Sequence, residues 1–274
     1  VRIPDWLLYL GLLSGILWVT GKWHEVNNAP LPPSPPTSAE MALFANFTPF
    51  STTTIMNLPS DSPSVMRGTA FSVSRTGQWL LMADTVAKCQ NPFLNIGGGL
   101  AVALKIQPIK GHPNMVFGLT EGGSTPFTMA NEDRIKPGLR AFVAGYSTNS
   151  VGEATGRLIG NTTISNKRRM QQPIPAMAWA ASGRTLGLEE SINRFAGGPA
   201  LDDNGHAVGI MLKEKPRRGR IYTTRRETLV SILEQADYRP GADIKLNLTK
   251  RNYANIADSL RREYRIAQVG CIER

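Results

Sequence analysis

Attack on a carbonyl by a side-chain hydroxyl or thiol needs a base of near-neutral pKa held beside it, most often histidine. This chain of 274 residues has three histidines. His24 flanks an apolar N-terminal stretch, His112 stands in a Gly-His-Pro turn, and His206 closes the run Asp202-Asp203-Asn204-Gly205-His206. Cys89 and Cys271 are the two cysteines, without the paired spacing of a zinc site. No metal or cofactor is expected. Gly97-Gly98-Gly99 has no Lys-Ser/Thr and helix after it, so it reads as a turn and not a phosphate cradle. No pair of carboxylates carries a supporting motif.

More informative is the run Arg194-Phe195-Ala196-Gly197-Gly198-Pro199, followed by a turn and then Val208-Gly209-Ile210. It resembles the nucleophile loop of trypsin-like serine proteases of the chymotrypsin fold, HtrA-like enzymes in particular, with Ala196 where the serine stands. The segment Gly68-Thr69-Ala70-Phe71-Ser72-Val73 to Ala83-Asp84-Thr85-Val86-Ala87 resembles the family's histidine motif. An ungapped match puts Thr85 at the histidine, and a slip of one residue puts Asp84 there. Leu100-Ala101-Val102-Ala103-Leu104-Lys105-Ile106 resembles the strand that follows the family's aspartate, whose position falls on Leu100 or Gly99. The resemblance therefore implies a degenerate triad at Thr85, Leu100 and Ala196, with no histidine at the base position. A methyl group cannot attack, and a serine hydroxyl without an oriented imidazole stays a poor nucleophile. Arg194 stands where the family usually has a glycine whose amide helps bind the oxyanion, so a side chain there implies a different backbone path.

These positions need two β-barrels to bring them together. Short apolar runs separated by Gly, Pro, Asn and Asp predict many short strands over 42–238. Glu132 to Tyr146 resembles the strand that opens the family's second barrel, and Gly156 to Gly160 its next strand. Thr224 to Tyr238 has helical spacing, with Leu229, Ile232 and Leu233 on one face. Asn252 to Gln268 also reads as helix, from Tyr253, Ile256, Ala257, Leu260, Tyr264 and Ala267. The fold expected is all-β, a double barrel with short C-terminal helices in an extension over 239–274.

Ahead of the barrels, Trp6 to Gly21 is apolar and uncharged. As a helix it would cover roughly 24 Å, near the thickness of a bilayer core. No small-x-small cleavage site follows, so an uncleaved transmembrane helix is expected within 1–26. The proline-rich stretch over 27–41 is expected to be a semi-rigid spacer. Arg2 favours an N-terminus in the cytoplasm, which places the barrels on the periplasmic side of the inner membrane. The net charge of +10 favours acidic partners, with anionic lipid headgroups among them. No zinc spacing, RNA-binding strand motif or aromatic–basic platform points to nucleic acid. Cys89 and Cys271 would close a long loop if paired, a stabilisation of roughly 5 kcal/mol; as two separate buried thiols they would contribute nothing of the kind. The function expected is that of a membrane-anchored pseudoprotease, a binding or structural subunit among other membrane protein subunits. The alternatives are a hydrolase using Ser182, Ser191 or Thr85 with a non-histidine base, and a regulator of a genuine protease.

Overall fold

The computed structural model describes residues 49–58, 64–146, 151–165, 173–185, 192–241 and 245–273. The expected membrane helix and proline spacer lie outside them, as does Ser191. Among the described residues no helix is long and apolar enough to cross a membrane.

Seven strands come from the first part of the described chain: β1 (Ile55–Asn57), β2 (Ser64–Ser72), β3 (Gln78–Met82), β4 (Asn91–Gly97), β5 (Leu100–Ala103), β6 (Lys105–Pro108) and β7 (Met115–Leu119). A short helix α1 (Ala83–Val86) follows β3. The next six are β8 (Arg140–Tyr146), β9 (Val151–Ile164), β10 (Ile174–Arg184), β11 (Pro199–Leu201), β12 (Ala207–Lys215) and β13 (Arg220–Thr224). They close into a barrel in the order β10-β13-β12-β11-β8-β9. Two helices, α2 (Arg226–Leu233) and α3 (Tyr253–Arg262), lead to a last strand, β14 (Ile266–Ile272).

The first part forms an eight-stranded sheet, β1-β5-β4-β14-β2-β3-β7-β6. Its fourth strand is the C-terminal one, paired antiparallel with β4 on one side and β2 on the other. The helix expected over 252–268 thus ends at Arg262, and the segment read as an extension supplies a central strand of the first sheet. Tyr264 has φ +54°, a left-handed conformation that stops a helix. The helix after β13 is likewise shorter than the spacing over 224–238 predicts.

Side-chain alternation sorts most of the buried apolar residues among the described ones into three large cores, with a small fourth of Ile164, Ala176 and Leu212. On β3, Trp79 and Leu81 face the interior of the first sheet with Ala70, Leu94, Val102 and Val269, while Leu80 faces the other way. On β8, Ala141 and Val143 face the barrel interior with Leu158, Met177, Trp179 and Ile221. The alternate residues Phe142 and Ala144 meet Phe71, Leu80, Ile210 and Leu260 in a core shared by both halves and both longer helices. Gly97, Gly98 and Gly99 take φ of 85°, 60° and 75°, so the hairpin between β4 and β5 turns through a backbone that side chains oppose.

Cys89 and Cys271 are joined in a disulfide with Cα atoms 5.8 Å apart. It ties the segment after α1 to β14 across 182 positions of sequence.

Candidate functional site

The loop with Ala196 at its apex is built from a single turn of 3-10 helix, Ile192–Phe195, that runs into β11. Phe195 is fully buried in the barrel core and anchors it. Gly197 has φ +94°, and its amide donates to the Met211 carbonyl at 2.9 Å. A Cβ at Gly197 would stand 2.5 Å from the Thr69 carbonyl oxygen and 3.2 Å from Met82 N. One at Gly198 would stand 2.5 Å from the Ala144 oxygen. The two glycines therefore let the loop press between β2, β3 and β8, where the two halves meet.

Met82 opens α1, and α1 carries Thr85. The fold thus brings the Ala196 loop to the end of β3 from which the Thr85 helix starts. Thr85 is 8% exposed and packs over β2, where a Cβ on Gly68 would stand 3.0 Å from its Oγ1. Asp84, the residue reached by a slip of one, is exposed. Leu100 opens β5, opposite Gly97 and Asn57, and packs against the interior cluster of the first sheet with Val86 and Ala83. Thr85, Leu100 and Ala196 supply a hydroxyl, an isobutyl and a methyl group. No two of them form a hydrogen-bonded pair that could move a proton.

The backbone around Ala196 is committed too. Its amide donates to the Asn193 carbonyl at 3.1 Å and closes the 3-10 turn. An oxyanion site needs such amides aimed outward at the developing charge. Here the turn uses the amide internally, and Arg194 lies within that turn. Glu214, on β12 and 4% exposed, fixes the turn in place. Its Oε2 accepts from Ile192 N at 3.0 Å, its own amide donates to Asn193 Oδ1 at 2.5 Å, and its Oε1 accepts from Arg184 Nη2 at 2.7 Å. Sequence reasoning missed this brace. The signal was present as a lone acid within the basic run from Lys213 to Arg226.

The two histidines among the described residues, His112 and His206, lie elsewhere. His206 Nδ1 is 3.9 Å from the buried Asp202 carboxylate, whose other oxygen accepts from the His206 and Asn204 amides. His112 Nε2 is 3.1 Å from Ser231 Oγ on α2. Burial holds the His112 imidazole below its ordinary pKa. No carboxylate among the described residues is hydrogen-bonded to His112. Ser182 Oγ donates to the Thr155 carbonyl at 3.4 Å, and no base among the described residues is hydrogen-bonded to it.

Beside the loop, a polar network joins the two halves. Thr69 Oγ1 accepts from the Tyr146 amide at 2.8 Å. Arg261 of α3 lies 5.5 Å from the Tyr146 ring and 2.6 Å from the buried Glu153 carboxylate, and it donates to the Gly145 and Gly152 carbonyls at 3.1 and 2.9 Å. Burial pushes the Tyr146 phenol up to about 12, Arg261 opposing. Tyr253 is also raised, by burial and then by the Glu153 charge, and burial raises Tyr238 and Tyr264. In the unfolded chain these phenols ionise near pH 10. Their folded values lie higher, so the stability they contribute is intact below about pH 10 and is lost as pH rises through the folded values. Tyrosinate absorbance should therefore appear together with loss of native circular dichroism. Early ionisation of most of the tyrosines in an intact fold would contradict this packing.

No family model matches the chain, and no curated protein matches it in sequence. Solved structures share its fold. The active form of the Rv3671c protease from M. tuberculosis aligns over 80% of this chain and 96% of that one, at 16% identity and a TM-score of 0.52. The inactive form of Rv3671c aligns over 76% of this chain and 100% of that one, at 15% identity and a TM-score of 0.51. The MamO protease domain from Magnetospirillum magneticum covers 65% of this chain and 92% of that one, at 16% identity and a TM-score of 0.48. On the Rv3671c alignments, what this chain shares with a protease is its fold, a closed β-barrel beside a second sheet.

Proposed function

We propose that this chain is a catalytically inactive relative of trypsin-like proteases that serves as a binding or structural subunit of a membrane complex. One observation carries the proposal: the apex of the nucleophile-type loop is Ala196, and its amide is spent on the Asn193 carbonyl. Neither a nucleophile nor an open oxyanion site is left there. Thr85 and Leu100 add no base and no carboxylate.

A fluorophosphonate probe tests this directly. The chain should show no heat-sensitive, stoichiometric labelling of a serine. Ser231, beside His112, is the residue to inspect by mass spectrometry, with Ser182 and Ser191; labelling of any of them would establish a relocated hydrolase instead. Ala196→Ser should leave peptide hydrolysis at the wild-type background, since the base is missing as well. Hydrolysis above that background would show that Thr85 does not stand at the base position.

The membrane part of the proposal is supported by the apolar run from Trp6 to Gly21 and the prolines that follow. Burying such a run favours insertion by many kcal/mol at about 25 cal/mol per Å². Carbonate and high-salt washes should leave the chain in the membrane pellet, and deleting residues 1–30 should release it. Extraction by salt alone would mean that the basic surface holds it. In spheroplasts, protease added outside should reach the barrels; full protection would place them in the cytoplasm. Docking on a genuine protease is the alternative use, and copurification in mild detergent identifies the partner in either case.

A further inference from the structure

We propose that the outer surface of the second barrel binds an extended, acidic segment of a partner protein along a row of cations. Strand register defines the row. Lys215 on β12 lies opposite Arg220 on β13, Arg220 opposite Ala180 on β10, Ala180 opposite Arg157 on β9, and Arg157 opposite Arg140 on β8. Directly opposed residues of an antiparallel pair put their side chains on the same face. Their sequence neighbours Ile221, Trp179, Leu158 and Ala141 fill the barrel core, so the row faces outward. Four of its five members are cations, and Ala180 leaves a gap at the centre. At ~4.8 Å per strand, Arg220 and Arg157 stand roughly 10 Å apart across that gap. The next row holds Lys213, Tyr222, Ala178 and Gly160, with its small residues toward β9. Arg217 and Arg218, both exposed, extend the row through the turn between β12 and β13.

The arrangement works against the barrel's own stability. Like charges directly opposite each other destabilise a sheet, and Lys215/Arg220 and Arg157/Arg140 are two such pairs. Glu153 and Glu214, the carboxylates of these strands, are buried and paired with Arg261 and Arg184. Arg157 Nη1 donates to the Gly138 carbonyl, which leaves its charge uncompensated. Arg140 Nε is buried without a hydrogen-bond partner. The Lys213 ammonium is held below its ordinary pKa, first by burial and then by Lys215. A ligand carrying several carboxylates would offset the repulsion within the Lys215/Arg220 and Arg157/Arg140 pairs.

The row winds across strands of a closed barrel, so a planar bilayer would meet only part of it. An extended chain can follow it, and alternate side chains of such a chain recur every ~6.6 Å, close enough to engage successive cations. Single-stranded nucleic acid is held by stacking platforms as well as cations, and Tyr222, the aromatic residue of these two rows, lies under the Lys215 ammonium at 5.7 Å. The proposal gives the binding role argued above a partner chemistry and rests on that role. No residue of the row belongs to the Ala196 loop.

Fluorescence anisotropy of a labelled oligoglutamate peptide, titrated with the full chain, tests it. Binding should weaken with salt. Replacing Arg157 and Arg220 together by Gln should weaken it about tenfold or more, while replacing both by Lys, or replacing Lys105 of β6 and Lys110 of the turn after it by Gln, should change it by less than about threefold. Because opposed like charges are removed, the Arg157→Gln/Arg220→Gln protein should melt no lower than wild type. An equal loss in the Lys105/Lys110 control would reduce the effect to net charge and overturn the proposal. So would row-dependent binding of phosphatidylserine vesicles or duplex DNA with no binding of the peptide. Absent peptide binding leaves the inert Ala196 loop standing, and probe labelling of a serine would not by itself remove the peptide site.

Discussion

A chain that stops at Arg265 should lose its native fold. β14 occupies the middle of the first sheet, bonded to β2 and β4 on its two sides. Removing it strips the partners from the facing amides and carbonyls of both strands, and these lie in the sheet interior. It also removes the side chains of Ile266 and Val269, each fully buried and each worth about 1.5–3 kcal/mol. The Cys89–Cys271 bond goes with it, and in the chain-entropy model a crosslink over so long a loop contributes about 5 kcal/mol. These losses together match the whole stability of an ordinary domain, about 5–15 kcal/mol. The truncated protein should show no cooperative melt and should be degraded quickly by added protease. A melt within a few degrees of the full chain would mean that β2 and β4 can pair without β14. Cys271→Ser, which removes the crosslink alone, should melt lower than wild type but still cooperatively.

The second large effect is expected at Arg261. Its guanidinium sits 2.6 Å from Glu153, and both side chains are nearly inaccessible, at 6% and 1% exposure. Asp258 is 2.9 Å from the same guanidinium. Arg261→Met keeps the apolar stem but leaves the Glu153 carboxylate buried with Thr185 Oγ1 as its remaining hydrogen-bond donor, at 2.5 Å. Breaking a buried pair from one side costs about 3–5 kcal/mol. For a fold of this size that lowers the melting temperature by about 10 °C. Adding Glu153→Gln should recover a large part of the loss, since the uncompensated charge and not the missing bridge dominates it. A loss below about 1 kcal/mol would show that α3 is held by Tyr253, Ala257 and Leu260 in the shared core, with the ion pair contributing little.

The part of the molecule legible in the sequence is the part whose signals are local. The Gly-Gly-Pro run, the hairpin after it and the Gly68–Ala87 segment each depend on turns and alternation within a few residues. β8 falls within the Glu132 to Tyr146 segment for the same reason, whereas β9 runs from Val151 to Ile164 and starts well before the expected Gly156. β14 was hidden by its own burial. A central strand covered on both faces has no alternation, so Ile266, Ala267, Val269 and Cys271 form a nearly continuous apolar run that extends the helical spacing of α3 without a visible break. Only the left-handed Tyr264 marks the change, and tyrosine carries no signal for it. The Glu214 brace and the Arg261–Glu153 pair were illegible for another reason. Their members lie at least 21 and 108 positions apart in sequence, and charged residues read singly look like solvated surface. At the site the substitutions were readable, but the inward turn of the Ala196 amide was not, because it depends on how Glu214 holds Ile192 and Asn193.

The place of β14 sets a timetable for synthesis. Everything needed for the barrel from Arg140 to Thr224 has left the ribosome well before Ile266 has. The first sheet is made earlier but cannot be completed. Until β14 emerges, β2 and β4 must keep a strand-wide slot open between them, with two unpaired edges facing it. Such edges accept any extended chain that reaches them, and contacts this remote in sequence form slowly. A nascent chain of this protein therefore carries its vulnerable surface from the emergence of β4 until β14 follows, and it is released from that state only by β14.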